Sequence, residues 1–136
     1  MLQGLLVPSS EVLKQLAEDE DWRVRAGVAR YKYTPPEVLI ELADRSNEVD
    51  GVRIAIAGNP NTPPEAFAIL AGDLFFSKDM RKTFFANPST PSEVINWFVD
   101  DLRKGHNEDV RMDILKDPNT PKAIREKIRS LRQKNG

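Results

Sequence analysis

The octapeptide GNPNTPPE, residues 58–65, places three prolines between segments whose apolar residues have the spacing of helices. Pro60 disfavours a helical backbone at Asn59, so it ends the helix before it. Thr62 and Pro63 have the composition of a helix start: the hydroxyl accepts from early backbone N–H groups, and proline loses a donor that has no partner there. Two helices are therefore predicted to meet through a short connection that nearly fixes the angle between them.

The same junction recurs along the chain. Its copies are Thr34-Pro35, Thr62-Pro63, Thr90-Pro91 and Thr120-Pro121, with a degenerate copy at Pro8-Ser9-Ser10-Glu11. The threonines are 28, 28 and 30 residues apart (34 to 62, 62 to 90, 90 to 120). Glu37, Glu65 and Glu93 each follow a threonine by three positions, which completes a capping box and suits the helix dipole. Repetition at this period predicts a solenoid.

Each repeat is predicted to hold two short amphipathic helices, A and B. Helix A follows Thr-Pro and has apolar residues at i, i+1, i+4 and i+5, as in Val38, Leu39, Leu42 and Ala43. Helix B precedes the next Thr-Pro, carries a Val-Arg pair or its equivalent, and stops at Asn-Pro or Asp-Pro in the later repeats. A fixed angle repeated from pair to pair generates a superhelix.

These repeats resemble the leucine-rich repeat variant family, whose motif is approximately Val-Arg-x-x-Val-Ala-x-Asn-Pro-x-Thr-Pro followed by a leucine-rich helix. The resemblance covers residues 8–131. The Val-Arg element also resembles the second helix of HEAT-type repeats, a related α-solenoid architecture. It implies a right-handed superhelix of alternating α- and 3₁₀-helices, although the sequence itself allows helix B to be either. The repeats depart from the family in extra residues between A and B and in Tyr31, where asparagine is expected.

We therefore expect an all-α, right-handed α-solenoid of about four and a half helix-pair repeats, forming one domain over residues 1–136. A capping helix is predicted at about residues 121–133. This segment is basic, and its cations are Lys122, Arg125, Lys127, Arg129, Arg132 and Lys134. A polar terminal unit is typical of solenoids, and contact with nucleic acid or an acidic protein is the alternative.

Two polar columns are predicted to be structural ladders. Their members are Arg25, Arg53, Arg81 and Arg111 in one column, and Asn59, Asn87 and Asp117 in the other. At about 100° per residue, the arginine projects from the apolar side of helix B, so it needs carbonyl groups or a carboxylate of a neighbouring repeat. The alternative is a row of arginines along a concave groove that binds phosphate or carboxylate. The second column suits helix ends, where short side chains bond to nearby backbone.

Aromatic residues interrupt the repeat pattern in the central units. Trp97 stands where other repeats have Gln15, Glu41 and Ile69, and Phe75 and Phe76 replace Asn47 and Glu48. A locally thicker core is one explanation. The other is a candidate interaction surface formed by Trp97, Phe75 and Phe76, on which a protein partner docks.

The composition favours a binding protein over an enzyme. The chain has no cysteine and a formal net charge of −1, which gives no general attraction to nucleic acid. His106 is the only histidine, and no metal-ligand spacing, phosphate loop or nucleophile motif is present. We expect no catalytic residues, no metal and no cofactor. The iron–sulphur module of some relatives is not expected, since it needs cysteine ligands.

Three functions follow in order of preference. The first is a non-enzymatic, cytoplasmic protein-interaction module with no membrane contact, because the N-terminus is no signal peptide and no segment suits a bilayer. The second is a nucleic-acid-binding solenoid that uses the arginine column and the basic C-terminal helix. The third is a HEAT-like enzyme such as a DNA glycosylase or a chromophore lyase.

Overall fold

The computed structural model describes residues 8–45, 48–71, 78–103 and 108–135. All regular structure in these ranges is α-helical. The helices are α1 (Ser10–Leu16), α2 (Trp22–Arg30), α3 (Pro36–Ala43), α4 (Asp50–Gly58), α5 (Pro64–Ala71), α6 (Lys78–Ala86), α7 (Ser92–Arg103), α8 (Glu108–Lys116) and α9 (Lys122–Asn135). None of these helices has the length and apolar content that a bilayer span requires.

The helices form two layers, in which odd-numbered helices are A helices and even-numbered helices are B helices. In the B layer, α4 packs between α2 and α6. In the A layer, α5 packs between α3 and α7, and α9 follows α7. The predicted all-α repeat solenoid is confirmed, and α2, α4, α6 and α8 are α-helices. The right-handed sense and the single domain stay predictions.

A continuous apolar core lies between the layers. Leu39 and Leu42 of α3, Phe67 of α5 and Phe84 of α6 are completely or almost completely buried. The rings of Phe67 and Phe84 meet edge to face, with centroids 5.7 Å apart. Each fully buried side chain of this kind contributes roughly 1.5–3 kcal/mol, most of it offset by chain entropy. Because the buried faces of successive units cover each other, stability depends on stacking.

The predicted capping role of the Thr-Pro threonines is wrong. Helix α3 begins at Pro36 and its N-cap is Pro35, which makes no side-chain hydrogen bond. Thr34 lies one residue too early to cap the helix, and its buried Oγ1 donates to the carbonyl oxygen of Val28 at 2.6 Å. That carbonyl lies in the last turn of α2, where acceptors lack partners within the helix.

The same hydroxyl contact recurs in every Thr-Pro corner. The other three donor–acceptor pairs are Thr62 with Ile56 at 2.6 Å, Thr90 with Phe84 at 2.7 Å and Thr120 with Ile114 at 2.7 Å. The threonine therefore ties the end of helix B to the corner before the next helix A. Ser9 in the degenerate first copy does cap its helix, because its Oγ accepts from the backbone N–H of Val12 at 3.2 Å.

Candidate functional site

Arg25 is buried and joins the first repeat to the second. Its Nε and one terminal nitrogen donate to the two carboxylate oxygens of Glu48 at 3.0 and 2.9 Å. The other terminal nitrogen donates to the carbonyl oxygens of Asp19 and Glu20. Burial would raise the pKa of Glu48, but hydrogen bonds from Arg25 and from the backbone N–H of Val49 outweigh it and bring the pKa below its ordinary 4.5. The guanidinium is thus enclosed between two repeats.

The remaining arginines of the column sit in different surroundings. Positions 76 and 106, which correspond to Glu48 in the next two repeats, hold Phe76 and His106, so a carboxylate does not recur there. Arg81 is only 7% exposed, and burial lowers its pKa while the nearby Asp113 opposes the shift. Arg53 and Arg111 are half-buried. The arginine column as a whole therefore stays a predicted ladder, with the Arg25–Glu48 pair as its first step.

Asn59 and Asn87 form what we call the asparagine ladder. The Nδ2 of Asn59 donates to the carbonyl oxygens of Ala29 and Tyr31 at 2.8 and 3.0 Å. The Nδ2 of Asn87 donates to those of Ala57 and Asn59 at 2.7 and 3.0 Å. Each side-chain oxygen accepts from the backbone N–H two residues later. Every hydrogen bond from the amide nitrogen crosses to the preceding repeat, so this contact fixes how repeats stack.

Asp117 occupies the next position of the ladder but cannot continue it. A carboxylate has no hydrogen to donate to the corresponding acceptors, the carbonyl oxygens of Phe85 and Asn87. One oxygen of Asp117 accepts from the backbone N–H of Asn119 at 2.9 Å, and the other lies 3.7 Å from Nζ of Lys82. The Asn119 hydrogen bond, followed by the charges of Lys82 and Lys78, lowers the pKa of Asp117. The ladder is interrupted between α6 and α8.

Arg125 of α9 closes the far end of the ladder. Its guanidinium donates to the carbonyl oxygens of Leu115, Asp117 and Thr120. The first two acceptors correspond to Ala29 and Tyr31, which receive the amide of Asn59 one repeat later. The sequence analysis placed Arg125 in a basic terminal helix but did not predict these hydrogen bonds, because the partners are backbone atoms that carry no sequence signal.

Trp97 is exposed, as the surface hypothesis requires. It lies on α7 with 46% of its surface accessible, and Ile69 at the same position of α5 is 37% exposed. A shallow groove between the two helices is lined by Ala68, Ala71, Glu93, Val94 and Trp97. Phe75 and Phe76, the other members of the candidate surface, lie outside the described residues.

An acidic column runs beside this groove on what we call the A face, the exposed surface of α1, α3, α5 and α7. The column consists of Glu11, Glu37, Glu65 and Glu93, one exposed glutamate in the first turn of each helix. Glu41 of α3 and Asp100 of α7 add exposed charge of the same sign. Among the described side chains of these four helices, the only cation is Lys14. Among the described side chains, the A face is therefore apolar around Trp97 and carries mainly negative charge along α3, α5 and α7.

Residues 22–47, which include α2 and α3, match the family model described as leucine rich repeat variant. The predicted resemblance is confirmed for this stretch. Searches of curated proteins and of solved structures gave no match.

Proposed function

We propose that this chain, which carries a leucine rich repeat variant at residues 22–47, is a non-enzymatic protein-interaction module whose A face binds a basic, amphipathic segment of a partner. Repeat domains of this type are protein-interaction modules in general. The observation that carries the finer proposal is the exposed Trp97 beside the acidic column of the A face. Tryptophan is enriched among the residues that dominate binding energy at protein interfaces.

Charge argues for the chemistry of the partner. Packed helices lie about 8–10 Å apart, which is close to the Debye length at physiological salt, so Glu37, Glu65 and Glu93 repel one another. A cationic segment laid across the A helices would relieve this repulsion, and complementary charge also speeds encounter and fixes the orientation of the bound segment. Apolar residues on the same segment would contact Trp97 and Ile69.

The same charges weigh against nucleic acid at this surface. Phosphate binding needs exposed Lys or Arg, whereas the A face is negative and Arg25 is enclosed with Glu48. Exposed cations available to nucleic acid lie elsewhere, among them Lys78 of α6 and Lys122 and Arg129 of α9. Nucleic-acid binding therefore stands as an outcome that the experiment below can reveal.

The test is a peptide-display selection against the purified full chain, followed by affinity measurements on the selected peptides. We expect Lys- and Arg-rich sequences with apolar residues at helical spacing, bound more weakly as salt rises. Trp97→Ala should reduce affinity by about thirtyfold, the size expected for a central aromatic anchor. Trp22→Ala is the matched control, because Trp22 is 43% exposed on a B helix.

Selection of acidic peptides, or binding that Trp97→Ala and Trp22→Ala affect equally, would overturn the proposal. So would salt-sensitive binding of nucleic acid that competes with the selected peptides. Self-association that Trp97→Ala abolishes would make the basic α9 of a second copy the occupant, and it would contradict a separate partner protein.

A further inference from the structure

A cavity of about 430 Å³ lies between α6 and α8. Elsewhere in the B layer, α4 packs directly on α2 and on α6. The volume is within the range of small-molecule binding sites, roughly 300–1,000 Å³. This cavity is separate from the A face on which the proposed partner binds.

Two features distinguish this part of the chain from the other repeats. Asp117 replaces the ladder asparagine and cannot pull α8 onto the end of α6. Helix α7 has 12 residues, against 8 in α3 and α5, and the threonine spacing of this repeat is 30 rather than 28 (90 to 120 against 62 to 90).

The two walls of the cavity carry opposite charges. Lys78, Arg81 and Lys82 line it from α6, where spacing of three and four residues places them on one side of the helix. Asp113 and Asp117 line it from α8 and the residue after it. The Lys82–Asp117 pair at 3.7 Å spans the two walls. Phe85 and Ile114 add an apolar surface between the charged groups.

Because Asp117 is a carboxylate, the carbonyl oxygens of Phe85 and Asn87 do not receive a side-chain amide from the ladder position of the following repeat. The equivalent oxygens of Ala57 and Asn59 receive the side-chain amide of Asn87. Phe85 and Asp117 both line the cavity. A ligand with N–H groups would supply the hydrogen-bond donors that the carboxylate of Asp117 lacks.

We propose that this cavity binds a free amino acid with an apolar side chain, in its zwitterionic form. The ammonium group would bind Asp117 and the adjacent carbonyl oxygens, the carboxylate would bind Lys78, and the side chain would lie on Phe85 and Ile114. An anion alone would meet Asp113 and Asp117, and a cation alone would meet three positive side chains. A small molecule with both charges matches both walls.

The experiment is isothermal titration of the full chain with L-phenylalanine, L-leucine and glycine. We expect saturable binding of phenylalanine and leucine, and weaker binding of glycine, which lacks the apolar side chain. N-acetyl-L-phenylalanine and L-phenylalanine methyl ester each lack one of the two charges of the free amino acid. Each should bind at least about tenfold more weakly than L-phenylalanine, as expected for the loss of one charge-assisted hydrogen-bonding group.

Asp117→Asn tests the site directly. The asparagine amide can donate to the carbonyl oxygens of Phe85 and Asn87, so we expect the variant to draw α8 onto α6, to become more stable and to lose amino-acid binding. Asp109→Asn, an exposed carboxylate at the start of α8, is the matched control and should bind normally. Lys78→Gln, an exposed position, should weaken binding without a packing change.

Three results would overturn the proposal: no saturable binding of any amino acid, equal binding of the acetylated or esterified forms, or unchanged binding in Asp117→Asn and Lys78→Gln. If the chain showed no Trp97-dependent peptide binding, the proposed amino-acid site would still stand, because the two sites share no residue.

Discussion

The side-chain amide of Asn87 donates to the carbonyl oxygen of Asn59, the residue at the same position one repeat earlier, at 3.0 Å. Asn59 in turn donates to Ala29 and Tyr31 in the repeat before it. Each asparagine is thus a donor toward the preceding repeat, through its side chain, and Asn59 is also an acceptor from the following one. This relation between equivalent asparagines contributes to the stacking of repeats, and Asp117, which has no amide, interrupts it between α6 and α8.

Replacing a ladder asparagine should destabilise the fold. Asn87→Ala removes two hydrogen bonds to carbonyl groups and leaves these buried acceptors without the amide, so we expect the free energy of unfolding to fall by about 2–3 kcal/mol. Urea denaturation measures the change. Asn119→Ala, an exposed asparagine, is the control and should change stability by less than about 0.5 kcal/mol. An equal effect of the two substitutions would contradict the ladder.

Glu48→Ala should be more damaging than an ordinary surface substitution. It leaves the buried guanidinium of Arg25 without its carboxylate, and breaking a buried pair in this way costs about 3–5 kcal/mol. Denaturant unfolding of Glu48→Ala, with the exposed Glu20→Ala as control, measures the difference. If the double variant Arg25→Met/Glu48→Leu were as unstable as Glu48→Ala, the unpaired charge would not be the cause.

The same pair makes stability depend on pH. The pKa of Glu48 lies below its ordinary 4.5 in the folded protein, so the carboxylate binds protons more readily in the unfolded chain. Its contribution is therefore fully present above about pH 4.5 and is lost as pH falls through the folded pKa. Thermal unfolding between neutral pH and pH 3 should show a steeper loss for the wild type than for Glu48→Gln. Parallel curves for the two proteins would contradict this assignment.

The helix pairs could be predicted from the sequence because their signals are local. The i, i+1, i+4, i+5 pattern of Val38, Leu39, Leu42 and Ala43 identified α3, and all four residues are buried. The role of Thr34 was predicted wrongly for a physical reason. A threonine before proline has two possible partners, the backbone of the next helix or the carbonyl groups of the previous one. The second partner depends on the backbone conformation of the turn between the two helices, which the sequence does not specify.

Contacts between repeats were harder to predict. The partners of Asn59 and Arg125 are backbone carbonyl groups 30 and 10 residues away, and a carbonyl group has no residue identity to recognise. The cavity between α6 and α8 has a weak signal in the substitution of Asp117 for asparagine and in the longer last repeat. The glutamates of the A face were visible in the sequence, but as helix-start residues rather than as one acidic surface.

Arg125 should contribute more to the stability of the fold than the other cationic residues of α9. Arg125→Ala removes charge-assisted hydrogen bonds to the carbonyl oxygens of Leu115, Asp117 and Thr120, and we expect a loss of roughly 2 kcal/mol together with faster hydrogen exchange in α8 and α9. Arg129→Ala is charge-matched and exposed on the same helix, so it should leave exchange unchanged. Equal exchange in the two variants would show that Arg125 does not close the ladder.

Gly51 and Trp22 provide an optical test of the packing between α2 and α4. A Cβ atom at position 51 would lie 2.6 Å from a carbon of the Trp22 ring, closer than real contacts allow. Because the ring is partly exposed, Gly51→Ala should push it into water rather than move α4. In a Trp97→Phe background, we expect the emission of Trp22 to shift to longer wavelength. The gain in helix propensity, about 0.5–1 kcal/mol, should be offset by the lost contact between the Trp22 ring and α4.

Gly27→Ala is the matched control for this experiment. Gly27 is also helical, but a Cβ atom there would meet nothing within 4 Å. The substitution should therefore stabilise the protein by about 0.5–1 kcal/mol and leave the emission of Trp22 unchanged. If Gly51→Ala behaved like Gly27→Ala in both stability and emission, the indole of Trp22 would not cover Gly51, and direct packing of α2 on α4 at this point would be disproved.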